Sequence, residues 1–413
     1  MRKALTDTAS GILSDAVHVL GLVETGERSL DDALDGALAH PQQRRTTGSL
    51  LFLYFRRKRF IDGWIGALAP RPPRPRLRRV LAAALTQVRF QSGIAPESAA
   101  NVAVELVKSL GNANEAKFVN AVLRRAVREM PEPDDSPDAV FPPELLKRWR
   151  GRYSGGELAA MGAAFLAPAP FTFRAEAGFD PPPEWEAVPV SCRGPFRFFE
   201  SEKPGAVLES AALRTGRIYI QDPATAAAAS LPDMAEVKSI LDVCAAPGGK
   251  SLLLAARMNP GTRLVAADRS ARRQEQTREN FRCRGLDFEV VTAEPAELAG
   301  EFDLVLADVP CSNTGVFRRR PDALWRFHAA ALAEVVALQR SILVAAAARV
   351  APGGRLVYST CSIEPEENAL QVEAFTASHP EFSAVASESL PPCREHDGAY
   401  ACLLRRSASS IRR

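Results

Sequence analysis

The sequence predicts an all-helical N-terminal region followed by an α/β domain built on a doubly wound parallel sheet. Three observations predict it. Residues 1–130 carry apolar side chains at three- and four-residue spacing, with no strand alternation. A proline-rich acidic stretch, PEPDDSPDAVFPP at 131–143, interrupts that pattern. From residue 221 onward, short apolar runs alternate with helical segments, as in a sheet whose strands are joined by crossover helices.

The elements follow in order. GILSDAVHVLGLV, SLLFLYFRRKRFIDGWIGAL, LRRVLAAALTQVRF, ESAANVAVELVKSL and AKFVNAVLRRAVREM are each predicted as helices. Pro96 suits a first helical position, and Asn114–Glu115 a helix start. Residues 131–143 are expected to be an interdomain linker. Residues 144–220 are expected to form a small α+β connecting segment, with ELLKRWRGRY helical and FTFRAE, PFRFFES and RIYI as short strands. In 221–413 the expected strands are ILDVCA, RLVAAD, FEVVTA, FDLVLADV and GRLVYST, with one long helix from about Asp322 to Val350.

Composition bounds the function. A length of 413 residues allows two or three domains at roughly 100–200 residues each. A hydrophobic fraction of 46% and a charged fraction of 24% suit a globular chain. No run of about 20 apolar residues occurs, so no membrane-spanning helix is expected. The first residues lack a signal-peptide core, and the expected location is cytoplasmic. Seven scattered cysteines without a CxxC pair, and five histidines, argue against a disulfide framework and against a bound metal. The net charge is only +3, yet Arg56, Arg57, Lys58, Arg59, Arg71, Arg74, Arg76, Arg78, Arg79 and Arg89 fall in one stretch opposed there only by Asp62. Such a segment is either a footprint for a polyanion or a solvated helix face.

The strongest local signal is LDVCAAPGGKS at 241–251. An apolar strand runs into small residues and glycines and then a helix, which lets backbone approach a ligand and presents free amides. Asp268, closing the next strand, lies where such folds bond ribose hydroxyls. Cys244 stands where a phosphate-cradling loop needs its first glycine, and no GxGxxG occurs, so an adenosine-bearing cofactor is favoured over a nucleoside triphosphate. Cysteines then follow two further strands: Cys311 in ADVPCS and Cys361 in YSTCS. Ligands of open parallel sheets bind at such carboxyl strand ends, and neighbouring strands are about 4.8 Å apart, so both thiols can face one substrate.

LDVCAAPGGKS, ADVPCSNTGVFRRRPDALWR, YSTCSIEPEEN, the IQDPA that precedes the first strand and the closing DGAYACLLRR resemble the RNA (cytosine-5) methyltransferase family of the Sun/Fmu type. AALTQVRFQSGIAPESAANVAVELVK followed by KFVNAVLRRAV is similar to the NusB RNA-binding fold. The pairing is typical of bacterial enzymes acting on small-subunit ribosomal RNA, and the likeness spans nearly the whole chain, weakest over 151–215. It implies a Rossmann-like methyltransferase domain at 221–413 with a mostly parallel seven-stranded sheet, behind a NusB-like domain at 1–130.

The resemblance further implies S-adenosyl-L-methionine as methyl donor, 16S ribosomal RNA as substrate, and a monomer. It gives Cys361 the role of nucleophile toward carbon 6 of cytosine, Cys311 a role in product release, and Asp308 a contact near N3. Cys244, Ala245, Ala246, Pro247, Gly248, Gly249 and Lys250 are expected to wrap the cofactor, Asp268 to bond its ribose and Asp308 to border it. Glu294 stands where the family has an adenine-contacting Asp, a departure in length. Arg318, Arg319 and Arg320 are expected to join Arg56, Arg57, Lys58 and Arg59 in holding RNA phosphates. Trp325 could stack on a base or pack in a core, the second being commoner for a lone helical tryptophan. Two rivals stand: a methyltransferase acting on other RNA, DNA or protein, and a non-catalytic RNA-binding assembly factor that keeps the fold as a scaffold.

Overall fold

The computed structural model describes residues 2–26, 28–69, 71–110, 113–189 and 194–408, with the side chains of 2–9 outside the description. The chain divides into two compact units, Met1–Pro168 with Phe317–Phe327, and Ala169–Val316 with His328–Arg413.

The first unit is helical. Its main helices are Arg2–Glu24, Leu30–Ala37, Pro41–Arg56, Lys58–Leu68, Pro75–Phe90, Pro96–Ser109, Ala113–Glu129 and Gly155–Leu166. Pro41, Pro75 and Pro96 each open a helix, where the missing amide costs nothing. Helix Pro75–Phe90 buries every residue from Val80 to Gln87, so it is surrounded rather than amphipathic. Its run Ala82–Ala83–Ala84 allows the flanking helices to approach closely.

Residues 131–143 are not a free linker. They lie inside this unit, with short helices at Pro137–Val140 and Pro143–Trp149. Phe141 is fully buried and joins Trp149, Phe165 and Phe317 in a cluster with ring centroids 5.1 to 6.3 Å apart. Four aromatic rings give up far more water contact than the prolines and acids around Phe141 suggest.

The basic segment is paired within its own unit. Arg56 donates to the Arg318 carbonyl at 2.7 Å and is buried enough that its guanidinium pKa falls to about 10, with the Arg318 charge adding to the effect. Arg57 pairs with Asp135, Lys58 with Asp62, and Arg59 donates to the Phe141 carbonyl at 2.9 Å. Arg74 and Arg76 meet Glu115, Arg78 and Arg79 meet Glu24, and Arg89 meets Glu132. These basic residues thus meet acidic or carbonyl partners inside their own unit, several of them on an exposed surface. Arg318 is likewise buried, donating to the Pro168 carbonyl at 3.3 Å, while the exposed Arg320 sits 3.6 Å from Asp31. Arg319 is half-buried in the same segment. Trp325 packs against the helical core and donates to the Phe55 carbonyl at 2.8 Å, with Lys58 over its ring at 5.4 Å. Its role here is packing.

The second unit holds two sheets. Strands β1 (Thr172–Ala175), β2 (Glu186–Val188), β3 (Arg197–Glu200) and β4 (Ile218–Ile220) form a small antiparallel sheet in the order β2-β3-β1-β4. The larger sheet contains β5 (Ser239–Asp242), β6 (Arg263–Asp268), β7 (Glu289–Thr292), β8 (Phe302–Asp308), β9 (Val350–Thr360), β10 (Phe382–Leu390) and β11 (Ala399–Arg406). Their order is β10-β11-β9-β8-β5-β6-β7, parallel from β9 to β7 and antiparallel at β11 and β10. The chain runs outward from β5 through β6 to β7, then returns to the other side of β5 as β8. The strand order therefore reverses between β5 and β8, which opens a crevice beyond their carboxyl ends.

The long helix expected from Asp322 to Val350 is broken at Phe327–His328. Residues up to Phe327 belong to the first unit, and a new helix, Ala329–Ala347, starts with the His328 imidazole accepting from the Ala331 amide at 3.1 Å. This second helix is long and apolar enough to cross a membrane by composition. Here its Leu332, Ile342, Leu343 and Ala346 are buried, the last three in the same apolar layer as Val305 of β8 and Leu356 of β9.

Candidate active site

Three loops leave the carboxyl ends of β5, β8 and β9. The first is Val243 to Gly248. Gly248 takes a φ of +96°, which only glycine adopts freely, and the helix Gly249–Ala255 follows it directly. A Cβ on Gly248 would lie 3.1 Å from Thr277 and 3.2 Å from Phe281; one on Gly249 would lie 3.1 Å from both Tyr219 and Gln221. The glycines are thus set by close packing against protein, and not by open space left for a ligand. The Ala246–Pro247 peptide bond is cis.

What the loop offers a ligand is chemical. Asp268, at the end of β6, accepts from the Ala246 amide at 3.2 Å and the Ser270 amide at 2.9 Å, with Arg273 3.6 Å away. Arg273 also donates to the Ala246 carbonyl, so the acid and the base together hold the loop. Asp242, at the end of β5, is fully buried; Ser251 donates to one of its oxygens at 2.7 Å and the other has no protein partner. Burial pushes its pKa up to about 7, with Ser251 pulling it down and Asp308 adding to the rise. An unsatisfied carboxylate oxygen and a buried acid on the neighbouring strand fit an S-adenosyl-L-methionine site, where amino and hydroxyl groups need acceptors. Burial also pushes up the Cys244 thiol, which leaves it an inert neighbour of that loop. Glu294 is exposed beyond β7; its amide donates to the Glu297 side chain at 3.0 Å and its carbonyl accepts from the Glu297 amide at 2.9 Å across the short turn Pro295–Glu297.

The second and third loops carry the cysteines. In the register of β8 with β9, Asp308 faces Ser359. Ser359 donates to one oxygen of Asp308 at 2.7 Å, and the Lys250 ammonium holds the other at 2.7 Å. Burial works against the Lys250 charge, but Asp308, with smaller contributions from Cys361 and Asp242, outweighs it and raises the lysine pKa. Beyond this pair the sulfurs of Cys311 and Cys361 stand 3.0 Å apart. Cys361 donates to the Asn313 Oδ1 at 3.3 Å, while the Asn313 amide donates back to the Cys311 carbonyl at 3.1 Å. Asn313 does this from a left-handed conformation, φ +61°, which asparagine tolerates better than most residues. The Cys311 thiol is raised well above its ordinary pKa, first by its hydrogen bond with Cys361, then by burial, then by the charges of Cys361 and Glu367.

The sequence-predicted residues of this unit thus gather at the ends of β8 and β9 as two contacting pairs, Cys311 with Cys361 and Asp308 with Lys250, while Asp268 holds the loop after β5. Asn313, Ser359 and the buried Glu367 were inside the quoted motifs without an assigned role. Each has a partner about fifty positions away in sequence, Cys361 for Asn313, Asp308 for Ser359 and Ser312 for Glu367, so no local pattern reveals them. No group of three or more metal-binding side chains occurs among the described residues.

Backbone contact fixes the cysteine loops. Gly315 donates to the Cys361 carbonyl at 3.0 Å and accepts from the Gly398 amide at 2.8 Å. A Cβ on Gly315 would sit 2.6 Å from the Cys361 carbonyl oxygen and 2.8 Å from that of Gly398. Gly315→Ala is therefore expected to displace the Cys361 backbone. We expect kcat to fall about 100-fold and stability to fall by about 1–3 kcal/mol. Steady-state kinetics and urea unfolding check both; wild-type turnover would show that the Cys361 loop need not sit where Gly315 holds it.

Comparison with known proteins gives two family matches. Residues 229–400 match the model described as 16S rRNA methyltransferase RsmB/F, and residues 14–128 match the NusB family. The ribosomal RNA small subunit methyltransferase B of Xanthomonas campestris pv. campestris is 32% identical over 396 residues, covering 90% of this chain and 89% of that one. The protein of the same name from Xylella fastidiosa is 34% identical over 383 residues, covering 88% and 89%. Among solved structures, the crystal structure of PH0851 aligns over 96% of this chain and 99% of its own, with a TM-score of 0.76 and 22% identity. A methyltransferase homologue from Pyrococcus horikoshii covers 64% of this chain and all of its own, with a TM-score of 0.53 and 22% identity. These two structures bear on the fold.

Proposed function

From the chain's membership of the RsmB/F family of 16S ribosomal RNA methyltransferases, we propose that it methylates carbon 5 of a cytosine in 16S ribosomal RNA, through a covalent bond from Cys361 to carbon 6. The methyl donor is S-adenosyl-L-methionine, which supplies a methyl group on a sulfonium. The Val243–Gly248 loop, Asp242 and Asp268 would hold it. The observation that carries the reading is the pair of thiols 3.0 Å apart at the ends of adjacent strands, next to the Lys250–Asp308 ion pair.

Each residue has a task in this scheme. Carbon 5 of cytosine is too poor a nucleophile to take a methyl group unaided. Addition of the Cys361 thiolate to carbon 6 turns the ring into an enamine whose carbon 5 can attack. Asp308, with oxygens on Lys250 and Ser359, is arranged as an acceptor and suits the exocyclic amino group of the base. The proton that relieves charge at N3 then comes by way of its Lys250 partner. The target base leaves its stack to reach the thiols.

Cys311 changes character during this cycle. In the resting site the hydrogen bond and charge of Cys361 help keep it protonated. Once the Cys361 sulfur is bonded to carbon, both influences vanish, and Cys311 becomes easier to deprotonate. Its proton passes to solvent, the resulting Cys311 thiolate takes the carbon-5 proton, and the carbon 6–sulfur bond breaks with Cys361 leaving as thiolate and the methylated base released. The seven arginines and lysines expected to contact RNA all belong to the first unit and take no part in these bond changes.

The test is to incubate the protein with methyl-labelled S-adenosyl-L-methionine and either naked 16S RNA or small-subunit particles, then map the label. One position carrying 5-methylcytosine is the expected result. Label in another nucleoside, or none in either substrate, would overturn the proposal.

A further inference from the structure

We infer that Glu367 is a positioning residue whose single buried carboxylate fixes the spacing of the Cys311 and Cys361 thiols. The inference rests on the two-thiol reading above and goes beyond it. Glu367 is fully buried in the short turn after β9. One oxygen accepts from the Ser312 amide at 2.7 Å and from the Gln339 side-chain amide at 2.9 Å. The other accepts from the hydroxyls of both Ser312 and Ser362. Ser312 directly follows Cys311, and Ser362 directly follows Cys361. One carboxylate therefore ties together the residues beside the two thiols.

The surroundings make that tie stiff. The two serine hydroxyls lie 3.2 Å apart and both reach Thr314, whose hydroxyl also accepts from the Ile363 amide at 3.2 Å. Gln339 anchors from the opposite side, donating also to the Pro310 carbonyl at 2.9 Å, just before Cys311. The Tyr358 hydroxyl donates to the Glu367 carbonyl at 2.6 Å, and Asn368 spans Thr360 and Ser362, the residues flanking Cys361. All four groups that point at the Glu367 side chain are donors. A carboxylate offers both oxygens as acceptors to such a set, whereas an amide offers only one. In a buried network every donor left unpaired is costly, so the carboxylate is replaced poorly even by its own amide.

Glu367→Gln is the near-isosteric test. Its NH2 would face donors, so one side of the tie must open and the cysteine loops separate. Two readouts are used. The first needs no substrate: diamide takes two electrons and two protons from the thiols, forming the Cys311–Cys361 disulfide while its azo bond is reduced to the hydrazine. The rate is read by non-reducing peptide mapping. The second is steady-state methyl transfer to 16S RNA.

We expect disulfide trapping to slow about tenfold and kcat to fall about 10–100-fold, with KM for S-adenosyl-L-methionine unchanged. A merely structural role would not divide kcat from KM in this way. Should Glu367→Gln fail to fold, the double variant Ser312→Ala, Ser362→Ala removes both hydroxyl ties while keeping the acid, and the same two measurements apply. An unchanged trapping rate overturns the positioning role. Slowed trapping with wild-type kcat would instead keep the tie and reject the two-thiol mechanism, so the two failures are separable.

Discussion

Cys361→Ala is expected to lower methyl transfer by on the order of 10⁴-fold or more, because it removes the atom that makes carbon 5 reactive. No other group in the site can take over. Cys311 stands 3.0 Å away but leaves from the end of β8 rather than β9, so its sulfur does not occupy the Cys361 position. The cofactor loop is built on β5 and β6 and makes no bond to Cys361, so affinity for S-adenosyl-L-methionine should stay within about twofold. Calorimetric titration of the donor beside a methyl-transfer assay checks both halves. Appreciable turnover by this variant would remove the nucleophile from the mechanism.

Cys311→Ala is the second large effect, and its signature is different in kind. Addition to carbon 6 and methylation of carbon 5 should still proceed, since Cys361, Asp308 and Lys250 are intact. Release should then stall, with turnover down about 10²–10⁴-fold, the range for loss of a positioned acid–base group. The stalled species is protein covalently joined to RNA. It is seen as a slow-migrating band that survives denaturant and disappears with ribonuclease. Adding Cys361→Ala to the same chain should abolish the band, because the bond runs through that sulfur. Free turnover without adduct would take Cys311 out of product release.

These predictions lean on groups that were already named from sequence, while the constraints around them were not. Cys311 and Cys361 were legible because each follows an apolar strand and a short motif. Asp268 was legible because it closes the strand after the glycine turn. Glu367 and Asn313 sat inside the same motifs in plain view. Their meaning depends on Ser312, Ser362, Gln339 and the sulfurs, brought near by strand pairing of β8 with β9. Seven strands were expected but only five were placed, and β10 is one of the two left unplaced. Most of its residues are exposed at the sheet edge, so it lacks the apolar pattern that betrays a strand.

By itself the sequence determined the helical first region, the alternation that builds the parallel sheet, and the kinds of atoms available at its strand ends. Local periodicity and short motifs are enough for that, since they act over one or two turns or a single strand. Charge was decided only by the tertiary structure. Arg56 to Arg89 read as a polyanion footprint because just one acid stands among them in sequence. Folding brings Glu24, Glu115, Glu132 and Asp135 onto the same arginines and buries Arg56 and Arg318 in one contact. A Coulomb interaction depends on distance through space, and at these short separations the nearest opposite charge outweighs every neighbour along the chain.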